Sequence, residues 1–122
     1  MTTVLDASAL LARLKGETGA ELVEEALLGG ARCGAANWSE AAQKMLAAGR
    51  RWNEARALLM SYQLRIEPVT SADAEWAAHR WKPGEGLSLA DRLCFALGER
   101  LDAVILTADR SWGASARITQ IR

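Results

Sequence analysis

The sequence has few of the residues from which many familiar sites are built. Its 122 residues include one histidine, two cysteines and two prolines, and 15 basic side chains balance 15 acidic ones. The lone His79 lies in a helical pattern, where a histidine is usually a surface or packing residue, so a His-based catalytic triad is not expected. Cys33 and Cys94 lack metal-ligand spacing and lie in apolar segments, which predicts reduced, buried thiols. Because the net charge is zero, any nucleic-acid binding must come from a local basic patch.

Long apolar runs are also missing. No stretch approaches the roughly 18 apolar residues of a transmembrane helix. The start, MTTVLDASALL, lacks the basic residues of a signal peptide, and Asp6 breaks its apolar stretch. We therefore expect a cytoplasmic protein without a membrane partner. The length suits a single domain over residues 1–122, and 50% hydrophobic residues suffice for a core.

Strand-like and helix-like segments alternate along the chain. We predict strands at residues 3–6, 31–36, 64–69, 103–106 and 117–121, and helices at 7–15, 18–28, 38–48, 51–62, 71–81 and 89–101. The strand at 64–69 should lie near an edge because it contains Pro68, and the alternating strand at 117–121 should lie on the outside. This order favours an α/β fold with a mainly parallel sheet covered on both faces. Ligands of such sheets bind beyond the carboxyl ends of the strands.

Four acidic residues should lie at that edge. Asp6 ends the first strand, Glu40 and Asp91 are expected in the first turns of their helices, and Asp109 follows the fourth strand. The helix at 89–101 travels roughly 20 Å away from the edge, and the strand after it returns, so Asp91 and Asp109 should meet. Four crowded carboxylates repel unless protons or cations neutralise them. Oxygen ligands without Cys or His indicate a hard divalent ion, Mg²⁺ or Mn²⁺.

Each acid also has a structural interpretation. Asn37–Glu40 and Ser88–Asp91 both match the capping-box pattern, in which the acid reaches back to the start of its helix. Asp109 could cap a helix by itself. Asp6 fits this interpretation least well, because Asp is disfavoured in a buried strand and no nearby helix needs a cap as obviously.

Three segments resemble a known family. VLDASALL, NWSEAAQKM and GLSLADRLCFALGERLDAVILTADRSW are similar to the PIN-domain ribonucleases, and more narrowly to the VapC toxins of bacterial toxin–antitoxin pairs. The resemblance spans essentially the whole chain, and its last block is the most specific. It implies a three-layer fold, with a parallel sheet of about five strands between helices. It matches four residues of this chain to the family's acidic quartet: Asp6, Glu40, Asp91 and Asp109. It also implies that Ser8 and Thr107 are supporting hydroxyl residues.

The resemblance also implies an activity. Mg²⁺ or Mn²⁺ would bind between Asp6, Asp91 and Asp109, with Glu40 reached directly or through water, and would promote hydrolysis of RNA phosphodiester bonds. Either Glu40 or Asp109 would orient or deprotonate the attacking water. A cognate antitoxin would inhibit the enzyme, which would form a homodimer. The helical region 38–62, rich in apolar residues, would help to form the groove for the antitoxin, although core packing is the simpler explanation.

The basic and aromatic residues beside the acids are open to two interpretations. Arg92 and Arg110 each follow an acid and could hold RNA phosphates, or they could form salt bridges or solvated charges. Trp112 could stack on a base, but packing against the sheet edge is the simpler expectation.

Three rival functions have different requirements. A haloacid-dehalogenase-like phosphatase needs a second Asp two places after the first, where this chain has Ser8. A receiver-type signalling module needs adjacent acids at the first strand and a lysine after a late strand, and both are missing. A catalytically inactive PIN fold that only binds a partner would not need the acids that this chain retains.

Overall fold

The structure, a computed structural model, describes residues 1–122. Five strands, six α-helices and one 3₁₀ helix follow one another along the chain. The strands are β1 (Thr3–Leu5), β2 (Arg32–Gly34), β3 (Arg65–Glu67), β4 (Val104–Thr107) and β5 (Ile118–Gln120). The helices are α1 (Ala7–Lys15), α2 (Ala20–Leu28), α3 (Ala35–Ala47), α4 (Trp52–Met60), α5 (Ser71–Arg80) and α6 (Leu89–Leu101), and the 3₁₀ helix spans Arg110–Trp112.

The five strands form one sheet in the order β3-β2-β1-β4-β5, and every neighbouring pair is parallel. The predicted α/β fold is confirmed, as are the edge positions of β3 and β5. β1 is the central strand, and its last residue Leu5 lies opposite Leu106 of β4. The carboxyl end of β1 therefore opens at the middle of one edge of the sheet, between β2 and β4.

The sheet separates two hydrophobic clusters because successive strand side chains point to opposite faces. Leu5 and Cys33 pack into a cluster of 17 buried residues with side chains from α1 to α4. Val4 and Ile105 pack into a cluster of six with Cys94, Phe95 and Leu97 of α6 and with Ala103, which follows that helix. Helices thus cover both faces, as predicted. No helix combines the length and the apolar character required to cross a membrane.

Two helices begin and end at the predicted residues. α1 ends at Gly16, whose left-handed backbone (φ 66°) suits glycine. α6 begins with a capping box, in which Ser88 and Asp91 exchange hydrogen bonds with each other's backbone. The predicted start of α3 at residue 38 is wrong, because the helix begins at Ala35 and shortens the predicted strand before it.

α6 approaches the sheet closely at a glycine. A Cβ atom on Gly98 would lie 2.7 Å from Cδ1 of Ile105 in β4. The missing side chain therefore lets the helix pack directly on the strand that follows it. This contact fixes α6, and with it the first turn that carries Asp91, against the centre of the sheet.

Candidate acidic site at the carboxyl edge of the sheet

Asp6 lies directly beyond the end of the central strand and is only 3% exposed. Its Oδ1 accepts hydrogen bonds from the Ala9 backbone N–H (2.8 Å) and the Ser8 hydroxyl (2.7 Å), and its Oδ2 accepts one from the Thr107 hydroxyl (2.6 Å). Asp6 is the N-cap of α1. The expectation that no nearby helix calls for Asp6 as a cap was therefore wrong. The cap uses Oδ1, and Oδ2 accepts only the Thr107 hydroxyl.

Ser8 and Thr107 link Asp6 to the segment that carries Asp109. The Ser8 hydroxyl donates to Asp6 and accepts from the Ala108 backbone N–H at 2.8 Å. The Thr107 hydroxyl donates to Asp6 and accepts from the Asp109 backbone N–H at 3.0 Å. Each hydroxyl thus acts once as donor and once as acceptor, which is the full use of its single proton. The two side chains orient the Asp6 carboxylate and hold the end of β4 beside it.

Asp91 lies in the first turn of α6, as predicted. Its Oδ2 accepts the Ser88 backbone N–H at 3.0 Å, and its own N–H donates to the Ser88 hydroxyl at 3.0 Å. The capping interpretation is therefore correct for Asp91. It leaves Oδ1 without a hydrogen-bond donor from the protein, so capping and ligand binding are compatible.

Glu40 lies in the second turn of α3, not in the first as predicted, because the helix begins at Ala35. Its Oε2 is 3.5 Å from Nζ of Lys44, one turn further along. Asn37 is not the helix cap that the sequence pattern predicted. It lies inside the first turn, is 1% exposed, and donates from Nδ2 to the Ala90 backbone oxygen at 3.3 Å.

Asp109 caps the 3₁₀ helix, as the structural interpretation allowed. Its Oδ1 accepts from both the backbone N–H (2.9 Å) and the hydroxyl (2.6 Å) of Ser111. Gln120 of β5 donates from Nε2 to the backbone oxygens of Asp109 and Gly113, both at 2.8 Å. Gln120, which the sequence analysis did not single out, therefore closes the turn that carries Asp109.

The charges of three of the acids act on buried groups near the carboxyl edge of the sheet. Burial raises the pKa of the Asp6 carboxyl above its ordinary value, hydrogen bonds from Thr107, Ala9 and Ser8 oppose the shift, and the charge of Asp91 adds to it. Burial also raises the pKa of the Cys94 thiol in α6 well above its usual value, and the charges of Asp6, Asp91 and Glu40 contribute. Three negative charges therefore act on one buried thiol beneath this edge.

The predicted metal site is not assembled as a closed set of ligands. No three His, Cys, Asp or Glu side chains are arranged so that they could hold a metal ion together. The donor set nevertheless fits a hard cation, since Asp6 offers a desolvated carboxylate oxygen and Asp91 a free one. Neither Asp6, Asp91 nor Asp109 forms a salt bridge with any basic side chain: the protein's ion pairs involve other acids. A buried carboxylate without a cation is costly, and a bound divalent ion would remove that cost.

The two neighbouring arginines differ in their surroundings. Arg92 donates from Nη1 to the Ala77 backbone oxygen at 2.7 Å, and its Nε is buried without a partner. Arg110 is exposed and forms neither a salt bridge nor a side-chain hydrogen bond. Arg110 is thus the freer of the two. Contacts of either residue with RNA remain a prediction.

The apolar residues around the site divide into packed and exposed groups. Trp112 packs edge-to-face on Phe95 of α6 with ring centroids 4.7 Å apart, so it is packed as expected, although this partner lies in a helix and not at the sheet edge. In the helical region 38–62, Trp38 and Trp52 pack together with centroids 5.0 Å apart. Leu46 and Met60 remain 61% and 40% exposed.

Both predicted thiols, Cys33 and Cys94, are free and buried.

Comparisons with known proteins agree with this fold. Residues 3–117 match the family model of the PIN domain. No curated protein matches the sequence. Solved structures that are similar include a toxin–antitoxin complex from Klebsiella pneumoniae, with a TM-score of 0.80, 15% identity and 98% of each chain covered. VapC20 of Mycobacterium tuberculosis, a sarcin-ricin loop cleaving toxin, has a TM-score of 0.70, 16% identity and 87% of each chain covered.

A third similar structure is VapBC2 from Rickettsia felis bound to a DNA fragment from their promoter. Its TM-score is 0.71 at 12% identity, with 98% of this chain and 97% of that chain covered. At such identities the likeness to solved structures is one of fold. The match to the family model covers nearly the whole sequence, and the chain belongs to the PIN domain family.

Proposed function

We propose that this PIN-domain protein is a metal-dependent endoribonuclease of the VapC toxin type, with Asp6, Glu40, Asp91 and Asp109 as its catalytic acids. The observation that carries this proposal is the Asp6 carboxylate. It is 3% exposed, lies close enough to Asp91 for that charge to raise its pKa, and has no basic partner. A site of this kind costs stability unless something positive binds there. Mg²⁺ or Mn²⁺ suits its oxygen donors.

The ion would polarise the scissile phosphate and lower the pKa of a bound water. Asp6 would hold it through Oδ2, which the Thr107 hydroxyl orients from 2.6 Å. Asp91 would hold it through Oδ1, which has no donor in the protein, and Asp109 would reach it through a bound water, since no three acids are arranged to hold an ion together. Ser8 and Thr107 are supporting residues in this scheme because they prevent the Asp6 side chain from rotating.

Two acids are available to orient or deprotonate the attacking water. Glu40 is partly exposed and reaches only Lys44, at 3.5 Å. The Oδ2 of Asp109 makes no hydrogen bond, since both Ser111 contacts use Oδ1. Arg110, which is exposed beside Asp109, is the better placed of the two predicted arginines to bind an RNA phosphate. Arg92 would have to give up its bond to Ala77 to do the same.

An antitoxin and a second copy of the chain are the proposed protein partners. A groove of about 360 Å³ between α1, α3 and α4 is lined by Leu14, Met45 and Leu58 together with Arg50, Arg51 and Glu54. Apolar walls with a charged rim suit an amphipathic segment of a partner. Two of the similar structures are toxin–antitoxin complexes, which supports a partner of this kind for the present chain.

A catalytically inactive PIN fold is the second candidate. It is favoured by the absence of a preassembled group of three acidic ligands. The phosphatase alternative is set aside, because the chain belongs to the PIN domain family.

Cleavage of a labelled total RNA preparation, with Mg²⁺, Mn²⁺ or EDTA, separates the two candidates. We expect cleavage with either ion, none with EDTA, and a loss of roughly a hundredfold or more in Asp6→Asn and Asp91→Asn. Asp102→Asn is the matched control, because Asp102 is an acid with a 92% exposed side chain at the far end of α6. Cleavage by Asp6→Asn at the wild-type rate would contradict the proposal. No cleavage by the wild type with any ion would favour the inactive fold.

A further inference from the structure

The side chain of Asn37 is a buried polar group that neither the core nor helix capping explains. It is 1% exposed, and its Oδ1 has no hydrogen-bond partner. Burying an amide with an unmade hydrogen bond is unfavourable. An apolar side chain at this position would leave no oxygen unpaired. The amide at this position therefore indicates a role other than packing.

The position of Asn37 connects two of the acidic residues. Asn37 and Glu40 are three residues apart in α3, so they lie on the same side of that helix. The Asn37 Nδ2 donates to the backbone oxygen of Ala90, the residue directly before Asp91. One amide thus joins the helix of Glu40 to the first turn of α6, where Asp91 lies.

The backbone around Asn37 is shaped to admit it. A Cβ atom on Gly34 would lie 3.3 Å from Oδ1 of Asn37 and 3.4 Å from Cδ2 of Leu97 in α6. Glycine at the end of β2 therefore lets both the Asn37 amide and α6 approach the carboxyl edge of the sheet. The close fit is consistent with one defined spacing between α3 and α6.

We propose that Asn37 is a positioning residue for the metal site: its amide sets the spacing between Glu40 and Asp91 that a divalent cation requires. This inference rests on the proposed function. Asn37 acts through Ala90 and the first turn of α6. Supporting contacts of this kind around a metal site are typically worth 10–100-fold in metal affinity or activity.

Asn37→Leu separates positioning from folding. We expect the variant to remain folded with a cooperative urea transition, because removing the unpaired Oδ1 offsets the loss of the Nδ2 bond to Ala90 and the strain of the bulkier side chain. We expect its affinity for Mn²⁺, measured by calorimetry on RNA-free protein, to fall by about tenfold or more. Its kcat should fall while the KM for RNA stays within about twofold of the wild-type value, because an interaction that acts only on the reacting centre changes kcat.

Two further variants complete the test. Gly34→Ala should weaken Mn²⁺ binding in the same direction by displacing the amide, although no polar group is removed. Asn53→Leu, at an exposed position of α4, is the matched control and should leave Mn²⁺ affinity unchanged. Wild-type Mn²⁺ affinity in a folded Asn37→Leu variant would overturn the inference. Failure of the wild type itself to bind Mn²⁺ would instead overturn the proposed function.

Discussion

The Thr107 hydroxyl donates a 2.6 Å hydrogen bond to Oδ2 of Asp6, although the two residues are 101 positions apart in the chain. The same hydroxyl accepts the Asp109 backbone N–H at 3.0 Å. One side chain at the end of β4 thus orients a carboxylate at the end of β1 and fixes the backbone of another acid. The parallel pairing of β1 with β4 makes this contact possible.

Replacing Thr107 by Val tests this contact, because valine has nearly the same shape and lacks the hydroxyl. We expect a loss of about 1–3 kcal/mol in the free energy of unfolding, since Asp6 Oδ2 and the Asp109 N–H both lose a buried partner. Urea denaturation measures the free energy of unfolding, and the rate of RNA cleavage by the valine variant should fall as well. Thr107→Ser keeps the hydroxyl and is the control. A valine variant as stable and active as the serine variant would show that the hydroxyl contributes nothing.

Asp6 should destabilise the metal-free protein at neutral pH. Its pKa is raised in the folded state, so its contribution to stability is greatest below the ordinary value of 3.8 and is lost as the pH rises through the folded pKa. In EDTA, Asp6→Asn should therefore be more stable than the wild type at pH 7.5, by about 1 kcal/mol. The difference should shrink as the pH is lowered.

Adding Mn²⁺ should reverse this order, because an ion that binds only the folded wild type stabilises it. Thermal unfolding of both proteins with and without Mn²⁺ measures the effect. Equal stability at every pH, or equal stabilisation of the variant by Mn²⁺, would be inconsistent with a desolvated, metal-binding Asp6.

The ion pair of Asp73 and Arg100 should have the opposite pH dependence. The Arg100 side chain donates to both carboxylate oxygens of Asp73, at 3.0 and 3.2 Å. Burial alone would raise the pKa of Asp73, but hydrogen bonds from Arg100 and Thr70 outweigh it and the pKa is lowered. Its stabilisation is therefore present above the ordinary value of 3.8 and is lost as the pH falls through the lowered pKa.

Asp73→Asn should cost roughly 1.5–3 kcal/mol at pH 7 and progressively less in acid. Urea denaturation of both proteins at pH 7 and at an acidic pH checks this. Asp102→Asn, at an exposed ion pair with Arg117, should show little change. RNA cleavage by folded Asp73→Asn should equal that of the wild type, because Asp73 lies outside the acidic site. A constant loss at every pH would mean that the charge of Asp73 does not matter.

Cys33 and Cys94 should be unreactive and unable to pair. Both are fully buried, and they belong to clusters on opposite faces of the sheet. Burial also raises the pKa of each thiol, which suppresses the reactive thiolate. We expect no labelling by a thiol reagent in native protein at pH 8, and labelling of both in urea. Mass spectrometry after mild oxidation should find no disulfide, and a linked pair would contradict the observed topology.

How much of this could be predicted from sequence depended on whether the signal was local. The start of α6 follows from a local capping box, and its end from the turn at Asp102, which has a left-handed backbone, so both limits were predicted correctly. The same pattern at Asn37–Glu40 failed, because Asn37 bonds Ala90 in another helix and α3 begins earlier, at Ala35. Local patterns identify a cap only where no tertiary contact competes for the side chain.

The candidate site shows the same limit. The acids could be singled out because the sequence placed each one next to a predicted strand end or helix start, although Glu40 lies in the second turn of α3. The hydrogen bonds of Asp6 with Thr107, and of Gln120 with the Asp109 backbone, join segments that are far apart in the chain. No spacing rule predicts such contacts, since they depend on the order of the strands in the sheet. The role of Asp6 as a helix cap was missed because its helix starts directly at the strand end.

Anomalous diffraction from crystals soaked in Mn²⁺ tests most directly whether the acids at this edge hold a cation. We expect one strong anomalous peak at about 2.0–2.3 Å from Oδ2 of Asp6 and from a carboxylate oxygen of Asp91, and no peak there in Asp6→Asn crystals. Absence of the peak from wild-type crystals that bind Mn²⁺ elsewhere would contradict a metal site built on Asp6.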